Sequence, residues 1–101
     1  MNCQALNMVS LCRRAGRLSS GEQGCLNAIR RGTARLVIVD ASASENTQKM
    51  FRDSCAYYEV PILFAPEDSL GPAIGKPGRK VAAVEDEGFA GSILRLTGRE
   101  A

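Results

Sequence analysis

The chain has no histidine, few aromatic residues and no cysteine pair at metal-ligand spacing, and each absence removes a class of function. Without histidine the commonest general base is missing, and no serine or cysteine has the imidazole partner that would activate it. No two carboxylates share an apolar setting of the kind that raises a pKa for acid–base work. A binding protein is therefore expected, not an enzyme. Cys3, Cys12, Cys25 and Cys55 never form a C-x-x-C pair, so a zinc site would need four scattered thiolates, and neither a metal nor another cofactor is expected. Each cysteine falls where a small apolar residue would sit on a helix, which predicts buried free thiols in a reducing compartment. Tyr57 and Tyr58 are adjacent, so at least one is expected to face the core, and stacking of bases on an aromatic sheet is not indicated. No apolar run approaches the roughly 20 residues that span a bilayer, and no basic segment precedes an apolar one at the N-terminus. The expected location is the cytoplasm, with no membrane partner.

What is present fits one domain. A length of 101 residues with 45% hydrophobic and 24% charged residues is enough for a single modest core and too little for two. There is no internal repeat and no low-complexity segment. The net charge is only +2 but unevenly spread: residues 1–39 hold six arginines against the single acid Glu22, whereas the remainder holds seven basic and ten acidic residues. That asymmetry points to a basic face meeting a polyanion, unless the two halves of the sequence are not halves in space.

The most organised stretch is residues 19–44. Ser19 with Glu22, or Ser20 with Gln23, has the spacing of a capping box, Cys25, Leu26 and Ile29 share one helical face, Gly32 closes the helix, and residues 36–39 form an apolar strand. A helix start of this kind offers free N–H groups and the positive end of the helix dipole, which suits a phosphate or a base edge; capping alone also accounts for Ser19 and Glu22. Before it, Asn2 caps a helix with Ala5, Val9 and Cys12 inward, Gly16 stops it, and Arg17 and Leu18 form a very short strand. After it, Ser44 starts a helix that buries Met50, Phe51 and Cys55 and ends near Tyr58. Residues 60–64 are a strand that Pro61 assigns to a strand start or sheet edge. Pro66 opens a further helix, short or distorted because of Pro72. Residues 76–80 form a basic turn, residues 81–84 a buried strand, and Asp86 caps a last helix with Phe89, Ile93, Leu94 and Leu96 inward. Residues 98–101 are expected to fray. The alternation predicts a three-layer α/β/α sandwich around a small mixed sheet, with right-handed crossovers and the loops after the strands gathered at one edge.

Two motifs are set aside. Residues 71–76 look like a phosphate loop, but one residue is missing between the glycines and Pro77 stands where Ser or Thr would hold magnesium. Glu85, Asp86 and Glu87 look like an acidic cluster, yet acids at a helix start are explained by the dipole and the cap.

The run Ala15-Gly16-Arg17-Leu18, Ser20-Gly21-Glu22, Ala28-Ile29-Arg30-Arg31-Gly32, Ala34 to Ile38, Ala43 to Thr47, Tyr57-Tyr58 before Val60-Pro61, Leu70-Gly71, Ala73 to Lys76 and Val81 to Phe89 closely resembles the YlxQ-type bacterial proteins of the L-seven-Ae superfamily of ribosomal proteins. The resemblance covers nearly the whole chain, in order. It implies the α/β/α sandwich, RNA binding, and a link to the ribosome or RNA processing. Kink-turn binders of the superfamily read sheared G·A pairs and phosphates from a helix opening with glycine, a small residue, Asn-Glu and then Lys. Laid on this chain, Gly21 matches, Gln23 stands for Asn, Gly24 for Glu and Asn27 for Lys. The second contact loop maps to residues 75–79, with Gly78 where an apolar or aromatic contact can occur. The expected RNA-binding set is therefore Gly21, Glu22, Gln23, Gly24, Asn27 and Arg31, then Ser42, Ala43 and Ser44, then Lys76, Pro77, Gly78, Arg79 and Lys80. The expected partner is structured RNA, ribosomal RNA included, and the free chain is expected to be a monomer. The alternative is a protein-interaction module on the same fold that has lost kink-turn reading, which the altered Gln23-Gly24-Asn27 set and the acidic second half favour.

Overall fold

In the computed structural model, residues 1–98 are described. In chain order the elements are α1 (Cys3–Arg14), β1 (Leu18–Ser20), α2 (Glu22–Arg31), β2 (Leu36–Asp40), α3 (Glu45–Tyr58), β3 (Ile62–Ala65), α4 (Leu70–Ala73), β4 (Val81–Val84) and α5 (Glu87–Leu96). Three of the expected caps form: the Asn2 side chain accepts from the Ala5 N–H, Ser44 from the Thr47 N–H and Asp86 from the Phe89 N–H. Gly32 closes α2 in the left-handed conformation at φ +78°.

The sheet order is β1-β4-β2-β3, with β2 and β3 parallel and β4 antiparallel to both β1 and β2. Because side chains alternate along a strand, Leu36 and Ile38 face a layer made by α1, α4 and α5, while Val37 and Val39 face α2 and α3. All five residues of β2 and all four of β4 are buried, as befits central strands covered on both faces. The result is the expected α/β/α sandwich with a small mixed sheet.

The details differ from the sequence expectation in five places. Since β4 runs against the other strands, the β1–α2–β2 and β2–α3–β3 connections are parallel crossovers but the connection from β3 to β4 is not, and β4 leaves at the opposite edge from β1, β2 and β3. The capping box does not form: Ser19 and Ser20 pair with Ala83 and Ala82 in the sheet, and the N-cap is Gly21, with no side-chain cap. Pro66 opens a turn, and α4 is a single turn beginning at Leu70, because Asp68 is held at φ +58° and its N–H is taken by a side chain from β2. Cys3 is exposed at the start of α1, so only three of the four thiols are buried. Both tyrosines are exposed, Tyr57 at 80% and Tyr58 at 44%, because Phe51 and Cys55 set the inward face of α3. The expectation for the last residues falls, beyond Gly98, outside the described residues. No described helix is long and apolar enough to cross a membrane.

The helical phase of α3 is directly testable. Phe51→Ala is expected to destabilise the protein by about 3–5 kcal/mol, since Phe51 is fully buried, and Tyr57→Ala by less than ~0.5 kcal/mol. Equal urea midpoints for the two variants would contradict this packing.

Candidate nucleic-acid interface

The antiparallel β4 brings the C-terminal ends of β1, β2 and β3 and the start of β4 to one edge of the sheet. The start of α2, the loop of residues 41–44, the loop of residues 66–69 and the turn of residues 76–80 therefore meet there. Two glycines set how closely they meet. Gly21 has φ +85°, and a Cβ on it would collide with the Arg79 guanidinium, which lies across the start of α2. A Cβ on Gly71 would stand 2.9 Å from the Lys76 carbonyl oxygen and 3.0 Å from the Gly78 nitrogen, so the 76–80 turn rests directly on the α4 backbone. The Lys76 N–H also donates to the Gly71 carbonyl at 2.9 Å. The first glycine of the rejected phosphate-loop pattern thus packs a turn.

The loops are tied together by Asp40, a fully buried charged residue at the end of an otherwise apolar strand. Its carboxylate accepts from the Ser42 N–H at 2.9 Å, the Ser42 hydroxyl at 2.6 Å, the Asp68 N–H at 2.8 Å and the Leu70 N–H at 3.0 Å. Burial alone would push its pKa up, but the bonds from Ser42, Leu70 and Asp68 outweigh burial and hold it at about 2, below the ordinary 3.8. Lys80 completes the network, donating to the Ser42 hydroxyl at 2.6 Å and the Asp68 carboxylate at 3.0 Å. Asp40 and Asp68 were absent from the expected set. The available signal was an acid ending a run of four apolar residues, where a buried carboxylate must find donors.

The other expected residues are placed as follows. The amides of Glu22, Gln23 and Gly24 precede the first α2 backbone bond, from the Cys25 N–H to the Gly21 carbonyl, and no side chain caps them. Glu22 accepts from the Thr47 hydroxyl at 3.1 Å, joining α2 to the start of α3, where Ser44 is the cap. Gln23 and Asn27 are exposed one helical turn apart, and the Gln23 amide donates to the Asn27 carbonyl oxygen at 3.0 Å. Nothing lies within 4 Å of a Cβ built on Gly24, so this position leaves an open surface. Ala43 is buried under Gln48, whose amide donates to the Ala43 carbonyl at 2.9 Å. Lys76, Pro77, Gly78 and Arg79 are exposed, and neither Lys76 nor Arg79 forms an ion pair with a described residue. Lys80 is half-buried and committed to Asp68 and Ser42. Arg31 stands apart: it ends α2, about 15 Å along the helix axis from Gly21, 3.9 Å from Glu85 at the opposite sheet edge.

Glu85, Asp86 and the three buried cysteines have structural roles. Glu85 accepts from the hydroxyls of Ser19 and Thr33 and lies near Arg31 and Arg17; these contacts outweigh the effect of burial and lower its pKa. Asp86 is the α5 cap. Burial raises the thiols of Cys12, Cys25 and Cys55 to about 11, 12 and 11, leaving them protonated and unreactive. Among the described residues no cluster of three or more Cys, Asp or Glu side chains is arranged to hold a metal.

Fold and edge together define a small α/β/α domain that presents a glycine-shaped loop edge with two cations, Lys76 and Arg79, outside any ion pair with a described residue. The chain belongs to the ribosomal protein L7Ae/L30e/S12e/Gadd45 family, which it matches over residues 4–93. It is 45% identical to "RNA-binding protein YlxQ" of Enterococcus faecium over 95 residues, covering 92% of this chain and 90% of that protein. It is 40% identical to the protein of the same name from Bacillus subtilis (strain 168), covering 88% of this chain and 90% of that one. A solved Bacillus halodurans protein of unknown function superposes with a TM-score of 0.90 at 33% identity, covering 96% of this chain and 99% of that one. The "Giardia lamblia 15.5kD RNA binding protein" shares the fold, with a TM-score of 0.78 at 23% identity, covering 98% and 89% of the two chains.

Asp40 gives this edge a pH dependence. Its folded pKa lies below the unfolded value, so its contribution is present above about pH 4 and is lost as pH falls toward about 2. Asp40→Asn is expected to cost roughly 2 kcal/mol at pH 7 and to flatten the acid limb of stability between those pH values. Parallel acid limbs for the two proteins in urea titrations would count against the network.

Proposed function

We propose that the chain is a non-catalytic protein that binds structured RNA of the kink-turn type through the edge formed by the start of α2, the 41–44 loop and the 76–79 turn, and that it is monomeric when free. The observation that carries this reading is the Arg79 guanidinium lying across Gly21, beside amides at the start of α2 that no side chain caps. A phosphate at that point gains the helix dipole, free N–H donors and an unpaired cation together. Lys76 adds a second cation on the same turn. The Gln23 and Asn27 amides carry both donors and acceptors and can exchange their exposed mutual bond for a base edge. Two relatives at 40–45% identity that bear the name RNA-binding protein support the partner class.

The departures at Gln23, Gly24 and Asn27 shift the balance of recognition toward the backbone. Gly24 supplies no side chain, and Asn27 supplies no charge where kink-turn binders of the superfamily carry Lys. Affinity should then rest mainly on the two free cations and the helix start, with base reading secondary. Lys80 holds the loops together and is not counted among the contacts.

Fluorescence-anisotropy titration against a kink-turn RNA, a version without its G·A pairs and a plain duplex, at two salt concentrations, tests the proposal. Tightest binding to the kink-turn RNA is expected. Lys76→Glu with Arg79→Glu should weaken it at least about tenfold and lower the salt slope by roughly one to two units. Failure of the native chain to bind any of the three at low salt would reject the reading in favour of a protein-interaction module.

A further inference from the structure

The sheet edge opposite the loops carries a second basic feature that the proposed interface does not use. There the C-terminal ends of α2 and α3 and the starts of β2 and β3 enclose an open cleft of about 260 Å³, lined among others by Arg30, Arg31, Arg35, Tyr58 and Glu59. Both helices end in a left-handed residue, Gly32 at φ +78° and Glu59 at φ +58°, so the chain turns away sharply and leaves the cleft between them. Arg30 and Arg35 form no ion pair with a described residue, and Arg31 meets Glu85 only at 3.9 Å. Arg30 and Arg31 also answer the negative end of the α2 dipole, but Arg35 lies on a strand approach, where no dipole requires it. Beside them the two exposed tyrosines stand edge-on, with ring centroids 4.8 Å apart.

We propose that this cleft is a second nucleic-acid site, taking an unpaired nucleotide of RNA with its base against Tyr58 and its phosphates on Arg30 and Arg35. This rests on RNA being the ligand of the chain. The chemistry favours a nucleotide over an acidic peptide because the cleft offers acceptors as well as cations. The Glu59 carboxylate can accept from the amino group of a base and the exposed face of Tyr58 can stack on it, contacts that an acidic side chain would not use. Exposed aromatic faces with neighbouring arginines are the combination that holds single strands. The two sites lie at opposite ends of α2, so a structured RNA on the loop edge and a single-stranded extension on the far edge can be held at once.

The test titrates the full chain with a labelled single-stranded RNA decamer of mixed sequence and, separately, with a kink-turn RNA without overhangs. Arg30→Gln with Arg35→Gln, and separately Tyr58→Leu, should weaken the decamer about tenfold or more while leaving the kink-turn RNA within about twofold. Arg79→Glu should do the reverse. Because all four positions are exposed, unchanged thermal melts are expected and confirm that each variant is folded. Decamer affinity indifferent to the far-edge variants, or absent in the native chain at low salt, would overturn the proposal. So would displacement of the decamer by polyglutamate but not by polyuridine, which would assign the cleft to an acidic protein segment. Decamer binding that the far-edge variants abolish, in a chain that ignores the kink-turn RNA, would uphold this site and reject the loop edge.

Discussion

A buried carboxylate ends the central strand of this protein, and the geometry of its loop edge depends on how that charge is satisfied. Asp40 has no access to water, and an isolated carboxylate there would not remain ionised. Four hydrogen bonds from the 42 and 68–70 segments keep it charged, and those bonds in turn fix the two loops that leave β2 and β3. Lys80, at the approach to β4, bonds to Ser42 and Asp68, so three segments distant in sequence become one unit. The arrangement is directional: each donor has one place to stand, and the loops inherit that precision.

Close backbone approach does for the rest of the edge what Asp40 does for its centre. Gly71 lets the 76–80 turn rest on α4, and Gly21 lets Arg79 lie across the start of α2. Lys76 and Arg79 are left without acidic partners while Lys80 is neutralised, so one short turn divides its cations between holding the fold and facing solvent. The six arginines of residues 1–39 divide in space in the same way. Arg13 packs near Gly75, whereas Arg30, Arg31 and Arg35 gather at the far edge, so the basic half of the sequence is not a basic half of the molecule.

Local signals were legible wherever one residue and its near neighbours decide the outcome. Asn2, Ser44 and Asp86 cap the helices at the expected places, and Ala5, Val9 and Cys12 are buried at helical spacing. Signals failed where a distant partner decides. Ser19 and Glu22 have capping-box spacing, but β4 claims the Ser19 backbone and Glu85 its hydroxyl, while Thr47 engages Glu22. Pro66 reads as a helix start, but Asp40, 28 and 30 residues from Asp68 and Leu70, sets where α4 can begin. The glycine-rich loop edge was read from a family resemblance and from the helix-start chemistry. Arg31 belongs to the expected set as a residue of α2, yet a full helix length separates it from Gly21.

The central claim is that RNA meets the loop edge that Asp40 holds in place, and backbone amide mapping addresses it directly. In ¹⁵N–¹H spectra of the native chain titrated with an overhang-free kink-turn RNA, the account predicts shifts concentrated at the amides of residues 21–24, 41–44, 76, 78 and 79. Shifts centred instead on α1 and α5, or an unchanged spectrum at saturating RNA, would contradict it.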